Sequence, residues 1–237
     1  MNWNSRTQLL VGEEGVKKLA SSHVLVVGLG GVGAYAAEQL ARAGIGKLTI
    51  VDSDTVNETN KNRQLLALDS TLSRPKVEVM AERIRDINPD AEVVALNQYL
   101  KDQSIIDLME QPFDFIVDAI DTLAPKVFLL YYAVQNKQKI VSCMGAGGKF
   151  DPTKIEIADI SKSWNCRLAF YIRKRLHRLG IREGITVVFS PEKVAESAVS
   201  IEEQTDNKIA TVGTISYMPA IFGCFCASHV IQRILNS

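Results

Sequence analysis

HVLVVGLGGVGAYAAEQLARAGIGKLTIVDSDTVNETNKNRQ, residues 23–64, is the stretch around which the chain is organised. Its first apolar run, residues 24–27, is largely β-branched and has no polar member, the pattern of a strand buried on both faces. Gly28, Gly30, Gly31 and Gly33 follow at once. Residues 34–43 are alanine-rich and predict a helix, which Gly44 and Gly46 stop. Residues 47–51 are a second buried run, and Asp52 stands at its end. Strand, glycine turn, helix, strand and acid together make a nucleotide-binding βαβ unit. The glycines let backbone N–H groups approach a phosphate at the helix N-terminus, where the dipole favours negative charge. Asp52 lies where a carboxylate accepts hydrogen bonds from ribose hydroxyls.

Glycines alone suit NAD, FAD and ATP equally; the residues beyond Asp52 discriminate among them. Asp54, Asn60, Arg63 and Gln64 crowd into the next turn, then Arg74-Pro75-Lys76, and later Asp118-Ala-Ile-Asp121-Thr122. That set suits a nucleoside triphosphate with a metal. Arg63 and Lys76 neutralise phosphates, Asp121 is the candidate Mg²⁺ ligand, and Asn60 and Gln64 are placed to bond the transferring group.

At these residues the chain resembles the ubiquitin-activating-enzyme-like superfamily, which includes the molybdopterin- and thiamine-pathway adenylating enzymes. The resemblance runs from Arg6 to about Gly148 and more loosely beyond. It implies ATP-dependent activation of a carboxylate. It assigns Gly31, Asp52, Asn60, Arg63, Gln64, Lys76 and Asp121 to the nucleotide site, and it makes Arg6 an arginine that reaches a partner subunit's site in a homodimer. Ser5-Arg6, Asp118-Ala-Ile-Asp121, Met144-Gly-Ala-Gly-Gly148, the run from Arg173 to Ile181 and Gly213-Thr-Ile-Ser-Tyr-Met-Pro219 are similar to the tRNA threonylcarbamoyladenosine dehydratases. That likeness implies a tRNA substrate carrying threonylcarbamoyladenosine at position 37, cyclised with net loss of one water. It leaves sulfur-transfer or cysteine desulfurase partners open. The alternative is an adenylating enzyme for a ubiquitin-like sulfur carrier, which predicts zinc cysteines and a reactive thiol.

The expected fold is α/β, a Rossmann-like doubly wound, mainly parallel sheet with antiparallel C-terminal additions. One adenylating domain is expected over 1–237: an N-terminal arm (1–22), an ATP-binding core (23–148) and a substrate and dimer region (149–237). Lys and Arg number 27 and Asp and Glu 27, so only a local patch can attract nucleic acid. Such a patch exists. Arg167, Arg173, Lys174, Arg175, Arg178 and Arg182 fall in a run without acids. It reads equally as a solvated helix face or as a phosphate-binding ridge for RNA. Trp164 and Tyr171 are the aromatics beside it. The turn at 144–148 either clears space for substrate or is a tight connection, and Asp118 either caps a turn or works chemically.

Four scattered cysteines and no signal peptide predict a reducing, cytoplasmic setting. Cys224-x-Cys226 is too close for zinc spacing, so no zinc is expected. None of Cys143, Cys166, Cys224 and Cys226 has a neighbouring base; Cys166 is the best of them. Residues 193–207 read as a polar mobile loop. Residues 209–231 are apolar and uncharged; Gly213, Pro219 and Gly223 favour a buried segment followed by a helix over a membrane span.

Overall fold

The computed structural model describes residues 3–204 and 207–237. In chain order the elements are α1 (Ser5–Ser21), β1 (His23–Val27), α2 (Gly33–Ala43), β2 (Lys47–Asp52), α3 (Lys76–Ile87), β3 (Glu92–Asn97), α4 (Gln103–Met109), β4 (Phe115–Asp118), α5 (Leu123–Gln135), β5 (Ile140–Cys143), β6 (Glu156–Asp159), α6 (Arg167–Arg178), β7 (Thr186–Phe189), β8 (Val199–Gln204), β9 (Asn207–Val212) and α7 (Tyr217–Leu235).

Seven strands form one sheet in the order β3-β2-β1-β4-β5-β7-β6. All neighbours are parallel except β6, which closes the edge antiparallel to β7. Alternation along each strand divides the core in two. Val24, Val26, Leu48, Ile50, Phe115 and Val117 face a layer containing α1, α2, α3 and α7. Leu25, Val27, Val51, Ile116, Val187 and Phe189 face α4, α5 and α6. With both faces covered, the strands carry the unbroken apolar runs seen in the sequence. The chain winds outward from β1 in both directions, so β1 and β4 flank the point where the winding reverses. Ligands bind there, beyond the strand C-termini.

Two expectations for the last third are corrected. The stretch 193–207, expected as a mobile loop, holds a short turn and β8, which pairs antiparallel with β9. β-branched Val199, Ile201, Ile209, Thr211 and Val212 supply the strand propensity that the acidic composition hides. Thr205 and Asp206 lie outside the described residues. The buried segment expected before Pro219 is instead β9 and an exposed link, and α7 begins at Tyr217 with Pro219 in its first turn. α7 has the length and apolarity to cross a membrane. One of its faces nevertheless lies in the core: Met218, Phe222, Cys226, Val230 and Ile234 are buried there at helical spacing. Helix α1 is kinked at Gly12 (φ +74°). Before the kink, Leu9 and Leu10 are 88% and 86% exposed.

Candidate active site

The rim beyond β1, β2, β3 and β4 opens into a cleft of about 770 Å³, within the range of small-molecule sites. Gly28, Gly30, Asp52, Asp54, Asn60, Arg63, Gln64, Lys76, Asp121 and Thr122 all line it. Ten residues singled out in the sequence, from four separate segments, thus meet in one space.

The glycines divide the labour. Gly28 has φ +88°, and a Cβ there would stand 2.8 Å from the Ala119 carbonyl oxygen. The turn after β1 therefore rests directly on the turn after β4. Gly33 opens α2, and its Cβ would lie 1.7 Å from the Gly28 carbonyl oxygen, so helix and turn touch backbone to backbone. Gly31 faces away from the cleft, against Pro219 of α7, whose Cβ its own would meet at 2.9 Å. A side chain at Gly31 or Gly33 would thus strike the backing of the turn, so both positions need glycine for the turn to pack. Helix α2 has no side-chain cap, which leaves its N-terminal N–H groups for an anion.

The Asp52 carboxylate accepts from Leu29 N (2.6 Å) and Asp54 N (2.7 Å). It splints the glycine turn to β2 while each oxygen keeps a further lone pair. Burial lifts this carboxyl above the usual range, against the pull of those two N–H groups and of Lys76. Lys76 begins α3 with its side chain 5% exposed and its ammonium 2.8 Å from Asp54 Oδ2. Asn60 accepts from Asn57 N at 3.1 Å in a short capped turn. Arg63 is oriented by the Thr59 carbonyl (3.0 Å) and Asn62 Oδ1 (2.7 Å), both through one terminal nitrogen; its other donors stay available. Asp121 is exposed, and among the described residues its carboxylate has no partner. No three His, Cys, Asp or Glu side chains converge into a metal cage among the described residues. Magnesium held partly by nucleotide phosphates asks for only one or two carboxylates.

Asp118 is neither a simple turn cap nor a group open to the cleft. It is fully buried, 2.9 Å from an equally buried Lys126. Lys126 escapes sequence reasoning; the available signal is a lone cation inside the apolar run Pro125–Leu130. Gln98, Tyr99 and Leu100, after β3, close another side of the cleft and escape it too, because nothing in their types marks a ligand. Arg6 is exposed and does not line the cleft of its own chain.

A smaller hollow of about 280 Å³ is lined by Leu123, Tyr171, Lys174, Arg175 and Arg178. Thr122 lines the cleft and its chain neighbour Leu123 lines the hollow. Among the described residues none of Lys174, Arg175 and Arg178 has a carboxylate partner. Arg167 lies over the Tyr171 ring at 5.9 Å, and Arg182 is exposed past the helix end. Arg173 differs from the others in this group. It is half-buried and donates to the Ser163 carbonyl (2.7 Å) and hydroxyl and to the Ile160 carbonyl (3.4 Å), so it ties α6 to the preceding turn. Trp164, Phe170 and Tyr171 are exposed beside the cations. The cysteines are free thiols. Cys226 is pushed up by its hydrogen bond with Cys143 and by burial, and Cys224 by burial, which suits neither to nucleophilic work.

The sequence model of the ThiF family matches residues 4–237. The chain is 37% identical to the tRNA threonylcarbamoyladenosine dehydratase of Bacillus subtilis (strain 168), over 98% of this chain and 94% of the relative. It is 35% identical to that of Escherichia coli (strain K12), over 98% and 94%. Its fold superimposes with a TM-score of 0.90 on the crystal structure of the E. coli tRNA N6-threonylcarbamoyladenosine dehydratase in complex with ATP, at 36% identity, covering 98% of this chain and 93% of that one.

Proposed function

The chain belongs to the ThiF family, and we propose that it is an ATP-dependent tRNA threonylcarbamoyladenosine dehydratase. The observation that carries this reading is full-length likeness to enzymes of that name, one of them crystallised with ATP. In support, consecutive residues, Thr122 and Leu123, line the cleft and the basic hollow, a spacing that one large substrate spans.

The free carboxylate of the modified adenosine is a poor electrophile. Its oxygen attacks the α-phosphorus of ATP, pyrophosphate leaves, and an acyl-adenylate results. The carbamoyl group of the same side chain then attacks the activated carbonyl, AMP leaves, and the ring closes; the nucleoside has lost one water. Both reacting groups belong to one molecule, so positioning replaces a protein nucleophile. The N-terminus of α2 and the Gly28–Gly30 turn meet the phosphates. Arg63 and Lys76 hold their charge, Lys76 exchanging Asp54 for phosphate oxygens. Asp121 is the residue to hold Mg²⁺, which when bound neutralises charge building on the leaving pyrophosphate. Asn60 and Gln64 contact the transferring group, and Asp52 the ribose. Arg167, Lys174, Arg175, Arg178 and Arg182 contact the tRNA backbone. The four free thiols suit a reducing cytoplasm. The rival, carrier-protein adenylation, is the less supported reading. ATP–pyrophosphate exchange with modified tRNA, a carrier protein or neither separates the two. Exchange driven by tRNA, with a product nucleoside lighter by one water, is expected; exchange driven only by the carrier would overturn the assignment.

The active unit is proposed to be a homodimer in which Arg6 serves the opposite cleft. Two exposed leucines before the Gly12 kink give that arm an apolar face its own chain leaves uncovered. Arg6→Ala and Asp121→Ala are each expected to be inactive alone. Mixed, they should recover about a quarter of wild-type activity, because each heterodimer has one intact composite site. No recovery despite verified subunit exchange would mean that Arg6 acts within its own chain, and an active Arg6→Ala protein would mean that it has no role.

A further inference from the structure

We propose that Lys126 is a positioning residue: with Asp118 it clamps the turn that carries Asp121 into the cleft. The inference rests on the reading of that cleft as the ATP site.

Both side chains are 0% exposed and 2.9 Å apart. A buried ion pair is weak evidence for stability, since well-packed apolar replacements are often as stable. Its use here is in what else the two groups hold. An ammonium has three donors, and three acceptors surround this one: Asp118 Oδ2, the Ile120 carbonyl (2.9 Å) and the Asp118 carbonyl (3.4 Å). The Asp118 carboxylate accepts from Ser142 Oγ (2.6 Å) and from Ile120 N (3.1 Å). Residue 120 is therefore gripped at its N–H by Asp118 and at its carbonyl by Lys126. Asp121 is the next residue, and among the described residues its own side chain has no protein partner to aim it. The same turn donates Ala119 N to the Val27 carbonyl (2.8 Å) and rests its carbonyl on Gly28. The clamp thus sets the spacing between the phosphate-binding turn and Asp121. Charge also matters. Lys126 cancels Asp118, so Asp121 is the uncompensated carboxylate of this turn facing the nucleotide.

The test uses full-length protein and titration calorimetry with ATP, with and without Mg²⁺. Asp118→Asn combined with Lys126→Gln removes both charges together and leaves none stranded. It is expected to weaken Mg²⁺-dependent ATP binding about 10- to 100-fold, the range for groups that support metal ligands, and to speed amide exchange over residues 119–122. Ser142→Ala, which loosens Asp118 without touching a charge, should move both readouts in the same direction by less. It guards against a double variant that fails to fold. A lowered Tm with unchanged ATP affinity and unchanged Mg²⁺ response in either folded variant would make the pair merely structural and overturn the proposal. Wild-type protein that fails to bind ATP would instead overturn the reading of the cleft.

Discussion

Alanine at Asp121, or at Arg63, is expected to cut kcat/KM for tRNA cyclisation by about 10²- to 10³-fold, the usual loss when one charged stabiliser of a transition state is removed. The fold should hardly notice. Asp121 is exposed and its carboxylate bonds to nothing else among the described residues, and substitutions at such positions stay within about 0.5 kcal/mol. Arg63 is bound only within its own turn, to Thr59 and Asn62, so its loss leaves the core intact. Thermal unfolding should place both variants within a few degrees of wild type while product analysis finds almost no cyclised nucleoside. The two losses should differ in kind. Asp121→Asn keeps shape and loses charge, so its ATP binding should demand more Mg²⁺; Arg63→Lys keeps charge and loses the planar fork, so its metal requirement should be unchanged. Wild-type turnover in Asp121→Ala and Arg63→Ala would remove the cleft from the chemistry.

The second large effect concerns RNA. Replacing Lys174, Arg175 and Arg178 together by glutamine should flatten the salt dependence of tRNA binding by about 3 units of log K per log salt, one for each lost phosphate contact. Affinity at low salt should fall at least about tenfold, since these contacts carry sequence-independent binding. ATP affinity should survive, because no charged member of the hollow lines the ATP cleft. Arg173→Gln is the built-in contrast. One terminal nitrogen of its guanidinium is tied to Ser163 and Ile160, so its replacement should lower Tm and flatten the salt slope less than loss of the three freer cations. Unchanged affinity and slope in the triple variant would return α6 to the status of a solvated face.

The centre of this molecule is legible in the sequence because its signals are local. The run from His23 to Asp52 needs no tertiary knowledge: buried strands, a glycine turn and an acid at a strand end follow from period and residue type. Ten ligand-facing candidates meet because parallel strands deliver their C-termini to one rim. The hidden features depend on contacts across the chain. The packing of Pro219 on Gly31 is not legible, because nothing before residue 200 announces it. Lys126 looks like a surface lysine, since its partner Asp118 lies on another element and the pair is invisible to spacing. Arg173 and Lys174 are adjacent cations, and only the Ser163 turn makes one a strut and leaves the other for a ligand. The β8–β9 ribbon is concealed by acidic composition.

The last helix has a consequence for biosynthesis. During synthesis the whole nucleotide motif, through Thr122, leaves the ribosome long before α7 does. Yet α7 supplies the rear wall of that motif: Pro219 backs Gly31, and Gly223 lies so close to α2 that a Cβ there would meet the Val32 carbonyl oxygen at 2.4 Å. Lys18 in α1 also bonds the carbonyls of Leu235 (3.1 Å) and Ser237 (2.6 Å), over sequence separations of 217 and 219. Contacts of that range close late, and N-terminal segments ordinarily fold first. A nascent chain arrested before residue 217 should therefore carry every proposed nucleotide ligand and fail to retain ATP on an affinity resin, whereas extension through α7 restores retention. The nucleotide turn is therefore backed only once α7 has settled against it.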